Sequence, residues 1–269
     1  MSRGAFFPLF VPATRPDRIA RACASGAGAV IVDLEDAVAP GDKEAARDGL
    51  ADAVLTDKVP VFVRINAHGT RWFDPDVAAV ARLPVAGIVL PKAEHGNVAD
   101  DLRQQLAPGA QLLALIETAR GLADVRRIAG AFDRLLFGSL DYAADLGVDP
   151  VPKALAHAQG ELVLAARLAG QPGPCDGVTP DINDPARVEA DARHGARLGF
   201  RGKMLIHPSQ LAPARAAYRP APDQVDWARR VLEAGVSDVA RLDGEMVDLP
   251  VIARARRILE DAEGDATHG

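Results

Sequence analysis

LLALIET (112–118) and RLLFGSLD (134–141) decide the fold. Each is a short leucine-rich run with a carboxylate, Glu117 or Asp141, just past its apolar part. AVIVDLED (29–36), VFVRIN (61–66) and GIVLPK (87–92) repeat the pattern with charged ends of either sign. Continuous apolar runs of this length read as parallel strands buried on both faces. Charged residues at the C-terminal ends of several such strands read as a site at the top of a barrel. Working outward, Phe6–Val11, Ala29–Leu34, Val61–Ile65, Gly87–Leu90, Gln111–Ile116, Arg134–Phe137, Cys175–Val178 and Lys203–Ile206 are the expected strands. Amphipathic stretches lie between them: 15–24, 43–53, 75–81, 98–106, 121–129, 153–168 and 185–198. Eight strand–helix repeats favour an α/β fold of the closed (β/α)8 TIM-barrel type over an open sheet.

The 269 residues suffice for one such barrel, and 48% hydrophobic content supports a large core. Residues 1–219 are expected to form the barrel domain. Thr14 and Asp184 read as helix starts, and Gly170 and Gly199 as stops. Residues 219–223 are proline-rich and read as a linker. Beyond them come a helix over 224–234, an irregular stretch and a last helix over 250–262. This 220–269 extension is too small to fold alone and is expected to pack on its own barrel or on a neighbour.

A net charge of −6 disfavours a general nucleic-acid binder. No run approaches the roughly 20 apolar residues of a membrane span, so a cytoplasmic protein without membrane partners is expected. Cys23 and Cys175, with no CxxC pattern, read as small buried residues. The loops after the last two expected strands lack a glycine-rich phosphate cradle, and no GxGxxG, Walker loop or HExxH occurs in a usable context. These absences disfavour nucleotide hydrolysis and nicotinamide chemistry.

Glu117 and Asp141 end consecutive strands and should lie side by side. Two carboxylates without a neighbouring His or Cys suit a hard cation such as Mg2+. A salt bridge remains open for Glu117, and a helix N-cap for Asp141. Arg64, inside an apolar strand, needs a partner: a substrate carboxylate held bidentately, or a structural ion pair. Asp33, Glu35 and Asp36 cannot all face inward. At least one should orient Arg64 or a nearby loop, and one is a candidate to touch water on a cation. Lys92 reads as a Schiff-base lysine or as a partner of that acidic cluster. His207 reads as a general base or as a loop cap.

Taken in order, LFVPATRPDR (9–18), VIVDLEDAVAPGDKEAAR (30–47), VRIN (63–66), LPKAE (90–94), IETARGL (116–122), FGSLDYAADLG (137–147), GFRGKMLIHPSQ (199–210) and GEMVDLP (244–250) resemble the citrate lyase β-subunit-like family of the HpcH/HpaI aldolase superfamily. That group contains malyl-CoA, citryl-CoA and citramalyl-CoA lyases. The resemblance spans almost the whole chain. It implies a Mg2+-dependent carbon–carbon lyase that splits a 3-hydroxyacyl-CoA thioester into acetyl-CoA and a 2-oxo acid. It also implies a TIM barrel in a homotrimer. Glu117 and Asp141 fall on the family's metal ligands, and Arg64 on its substrate-binding arginine. Asp248 falls on an aspartate supplied by a neighbouring subunit, and Glu35 on an acidic residue of the DLED segment counted among the catalytic candidates. Arg15, Arg18 and Lys43 are candidates for the CoA phosphates. Two rivals stay open: a class I aldolase using Lys92, and a citrate lyase β subunit active only with acyl-carrier partner subunits.

Overall fold

A computed structural model describes residues 5–52, 59–234, 240–242 and 245–266. Strands and helices alternate: β1 Pro8–Pro12, α1 Pro16–Cys23, β2 Ala29–Asp33, α2 Lys43–Asp48, β3 Val61–Arg64, α3 Phe73–Val80, β4 Gly87–Leu90 and α4 Val98–Gln105. Then come β5 Gln111–Ile116, α5 Ala119–Ala123, α6 Val125–Ala131, β6 Arg134–Phe137, α7 Ser139–Leu146, α8 Pro152–Leu168, α9 Pro185–Leu198 and α10 Leu211–Tyr218. The C-terminal part is α11 Pro222–Ala234, β7 Ala240–Leu242, β8 Glu245–Val247 and α12 Leu249–Ala266.

The first six strands form one parallel sheet in sequence order. Parallel pairs need crossover helices, and the amphipathic segments supply them. Eight regular strands were expected, and six are found. Residues 175–176 and 202–205 are joined to the sheet only by isolated parallel bridges: Leu136 to Cys175, Asp176 to Lys203, Gly202 to Phe6, and Leu205 to Leu9. Gly173-Pro174, Gly177 and Gly202 break the apolar runs there, and such residues weaken a ladder.

Alternation along the strands separates two buried clusters. Ala29, Ile31, Phe62, Val89, Leu113, Leu115, Leu136, Cys175 and Met204 fill the inside of the curved sheet. Val30, Val32, Val63, Ile88, Leu112 and Ala114 face the helices. At the N-terminal end of the interior, buried Arg134 stacks over the Phe6 ring at 4.7 Å. Its Nη2 donates to the carbonyls of Gly173 and Arg201. Cys175 is buried, and Cys23 is only half-buried.

Several boundaries differ from expectation. Thr14 does not cap α1; Arg15 takes that place without a side-chain hydrogen bond, because Pro16 starts the helix. Asp184 does cap α9, accepting from the Arg187 N–H at 2.9 Å. Gly199 ends α9 in the left-handed conformation at φ 107°, where a Cβ is disfavoured. The helix expected over 43–53 tightens after Asp48 into a 3-10 turn, Gly49–Asp52, and Ala53 lies outside the described residues. The one expected over 121–129 is two helices broken at Asp124. Residues 211–218, given no helix range of their own, form α10 after the eighth expected strand.

The extension has a small core of its own. Ala228, Val231, Ala255 and Ile258 are buried together, with Val225, Trp227, Leu242, Val247 and Val251 around them. The irregular stretch expected between its helices contains the hairpin β7–β8. An ion pair from Arg201 to Asp261 ties α12 to the rest of the chain. No helix among the described residues is long and apolar enough to cross a membrane.

Candidate active site

The C-terminal ends of β2 to β6 bring the charged residues together. Strand register does the placing. Asp33 pairs with Arg64 across β2 and β3. In-register parallel neighbours point to the same face, so the two side chains meet. Asp33 takes Arg64 bidentately, from Nε at 2.7 Å and Nη2 at 2.5 Å. Arg64 Nη1 also lies 3.1 Å from Glu35 Oε2, and its guanidinium lies over Phe10. Asp33 further accepts from the N–H groups of Glu35 and Ala37, which fixes the loop. Burial works against the Arg64 charge, but the hydrogen bonds and charge of Asp33, then Glu35, outweigh it and raise its pKa. Of the acidic cluster, Asp33 orients Arg64, Glu35 bridges Arg64 and Lys92, and Asp36 stays exposed.

Glu117 follows β5 directly and is 1% exposed. Its Oε1 accepts the Lys92 N–H at 2.8 Å. Its Oε2 is buried with no hydrogen-bond partner. The carboxylate lies against Gly138, the residue after β6, whose N–H bonds the Ile116 carbonyl. A side chain at 138 would collide with it, so glycine is required by close approach. Burial, then the nearby Glu35 charge, pushes the Glu117 pKa up to about 8. Asp141 sits on the exposed first turn of α7, three residues beyond Gly138. Gly138, not Asp141, holds the N-cap position, so the capping alternative for Asp141 falls away. A buried carboxylate oxygen without a partner at a strand end fits a hard divalent cation. Among the described residues, no group of three or more His, Cys, Asp or Glu converges to hold a metal.

Lys92 directs its ammonium to Glu35 Oε1, within 4.0 Å of Glu117 Oε1. Burial opposes its charge, but Glu35, then Glu117 and Asp36, raise its pKa overall. A Schiff-base lysine needs the opposite shift. The geometry places Lys92 as the partner of the acidic cluster. His207 is exposed and caps a 3-10 turn, accepting from the Ser209 N–H at Nδ1. Lys43 is buried and donates to the carbonyls of Leu34 and Glu35, so no exposed ammonium remains there for a phosphate. Arg15 and Arg18 do face solvent, with Arg15 paired to Asp17. Asp248 is exposed at the start of α12 and accepts from the Val251 N–H. It joins none of the residues above. The sequence reading missed Gly138 and the Asn66–Asp76 pair behind Arg64, where Asp76 accepts from both Asn66 nitrogens.

Residues 7–208 match the family model HpcH/HpaI aldolase/citrate lyase. A Mycobacterium tuberculosis citrate lyase subunit beta-like protein is 40% identical over 270 residues, 96% of each chain. A (3S)-malyl-CoA thioesterase of Cereibacter sphaeroides is 34% identical, covering 96% of this chain and 94% of its own. The crystal structure of CitE from Mycobacterium tuberculosis in complex with magnesium, acetoacetate and coenzyme A superposes with a TM-score of 0.87. It is 38% identical, covering 97% of this chain and all of that one.

Proposed function

The chain belongs to the HpcH/HpaI aldolase/citrate lyase family, and on that premise we propose that it is a Mg2+-dependent lyase cleaving a 3-hydroxyacyl-CoA thioester reversibly into acetyl-CoA and a 2-oxo acid. The substrate class is that of citryl-, malyl- or citramalyl-CoA. The observation that carries the reading is Glu117 Oε2, buried without a hydrogen-bond partner at a strand end. The magnesium in the tuberculosis relative supports the choice of ion.

Glu117 and Asp141 would hold the cation. Bound there, Mg2+ supplies Lewis-acid polarisation and orients a chelating carboxylate and its neighbouring oxygen. Arg64, fixed by Asp33, offers a charge that does not move at the moment of reaction and steadies negative charge on the same end of the substrate. Glu35 keeps Arg64 and Lys92 in place. In the cleavage direction the 3-hydroxyl gives its proton to solvent water, and the carbon–carbon bond breaks to leave the 2-oxo acid. The electron pair of that bond passes to the acetyl carbon, which protonated Asp248 of a neighbouring copy protonates before taking a proton back from solvent. The architecture proposed is a closed (β/α)8 barrel over 1–219 in a homotrimer, with the 220–269 extension reaching a neighbour. The exposed Met246 and Leu249 beside Asp248 support that reach. Arg15 and Arg18 remain the candidates for the CoA phosphates.

The test is to incubate the purified chain with citryl-, malyl- and citramalyl-CoA, with Mg2+ or with EDTA. Acetyl-CoA and a 2-oxo acid should appear together and only with metal. Free CoA without a 2-oxo acid would mean thioester hydrolysis, the reaction in the name of the Cereibacter relative. Cleavage that survives EDTA would overturn the metal-dependent reading.

A further inference from the structure

Lys92 is the one non-glycine among the described residues with a left-handed backbone, at φ +46°. Its hydrogen bonds explain why. The Lys92 N–H donates to Glu117 Oε1, and the next N–H, of Ala93, donates to the Leu115 carbonyl at 3.1 Å. A regular strand sends successive N–H groups to opposite neighbours. Here both go to the β5 side, and a left-handed turn at residue 92 makes that possible. Glycine adopts that turn most easily. A lysine there places an ammonium at the strand end.

That side chain is shared between two buried carboxylates. The ammonium holds Glu35 Oε1 and lies 4.0 Å from Glu117 Oε1. Glu117 keeps a buried Oε2 without a hydrogen bond, whereas Glu35 Oε2 has Arg64 Nη1 at 3.1 Å. Glu35 and Glu117 thus meet at Lys92, and Asp141 lies on the first turn of α7, after the next strand; among the described residues no three such groups converge. Lys92 is 40% exposed on its side chain.

Resting on the magnesium reading above, we infer that Lys92 fixes how many carboxylates the cation meets: by occupying Glu35 it keeps that side chain off the ion. Glu117 and Asp141 are then the protein ligands, and the other positions stay open to substrate oxygens. Mg2+ is typically bound through one or two carboxylates, with other oxygens completing its octahedron. A third carboxylate would fill a position that the substrate needs and would reduce the positive charge that polarises it. Without the ammonium, Arg64 stays at Oε2 of buried Glu35, but Oε1 loses its cation and is open to another. Lys92 is a positioning residue on this account.

Calorimetric titration of Mg2+ and Ca2+ into the metal-free full chain tests this. Lys92→Met removes the charge at similar length. It should tighten Mg2+ binding by about tenfold and Ca2+ binding by more, since Ca2+ accepts more carboxylates. Lys92→Arg should bind both ions like wild type. Lys92→Met combined with Glu35→Gln should return to wild-type affinity, a rescue that a purely structural lysine would not give. If the Met variant does not fold, Lys92→Gly makes the same test with the backbone turn relieved. Unchanged or weaker Mg2+ binding in the single variant, or tight binding that persists in the double variant, overturns the inference. A wild-type chain that binds no Mg2+ overturns the magnesium reading itself, a separate result.

Discussion

Glu117 occupies the space that a side chain on residue 138 would need: a Cβ built on Gly138 would come 2.4 Å from Glu117 Oε2 and 2.5 Å from its Cβ. The carboxylate position is therefore set from the next strand as well as from its own. Gly138→Ala should displace Glu117 while leaving the sheet intact. Misplacing a reacting group by about 1 Å can cost roughly 100-fold, and a loss of that order in kcat/KM is expected. Wild-type turnover in a folded Gly138→Ala protein would show that the contact is unimportant.

Glu117 also predicts a pH dependence. Its folded pKa is about 8, against the ordinary 4.5. Below the lower value both folded and unfolded chains carry the proton. Between the two, the folded chain holds a proton that the unfolded chain has lost, so stability falls as pH rises through that window. In EDTA, the Tm of wild type should drop relative to Glu117→Gln from about pH 5 to about pH 8. Magnesium must displace the same proton, so its affinity should climb over the same range. A pH-independent Tm difference between the two proteins would contradict this.

The Asp33–Arg64 pair is buried and bidentate, which suits a planar guanidinium and not a point charge. Arg64→Lys should lower kcat/KM more than tenfold, roughly 1.4 kcal/mol or more. Asp33→Ala leaves a buried cation short of its main partner and should cost about 3 kcal/mol of stability. Chemical denaturation reads the second effect and steady-state kinetics the first. Unchanged values in both would reduce the pair to an incidental contact.

Asp248 caps α12 away from the other site residues of its own chain. Asparagine caps as well as aspartate, so Asp248→Asn should leave the helix intact and remove activity. Co-expression of inactive Asp248→Asn with inactive Glu117→Ala chains should restore part of it, because some neighbours would pair an intact strand end with an intact extension. Verified mixed oligomers that stay inactive, or a monomer by light scattering, would rule out the shared site.

Five of the six strands were legible as apolar runs closed by a charge, and period-two alternation predicted that at least one of Asp33, Glu35 and Asp36 would orient Arg64 or a nearby loop, as Asp33 does. Residues 175–178 and 203–206 carry the same apolar signal, but their glycines leave only isolated bridges. Helix α10 was hidden by Pro213 near its start, next to the HPSQ loop. Lys43 looked like a surface cation, and only the path of the β2–α2 loop reveals the two carbonyls that enclose it. Gly138 and the left-handed turn at Lys92 are single-residue choices of backbone and volume. No periodicity reports them, because they arise from the approach of a neighbouring strand.

Arg134 and Phe6 close the end of the sheet interior opposite the charged mouth, and the apolar layers between leave that axis packed. Reactants thus approach the charged residues from the side away from that packed interior. A reactant that lodges deepest leaves last. The 2-oxo acid, drawn toward Arg64 and the two carboxylate-held positions, would sit below a CoA arm too long to be enclosed. Acetyl-CoA should then depart first in cleavage. In the condensation direction, the 2-oxo acid should have to enter before acetyl-CoA, an order that product-inhibition patterns reveal directly.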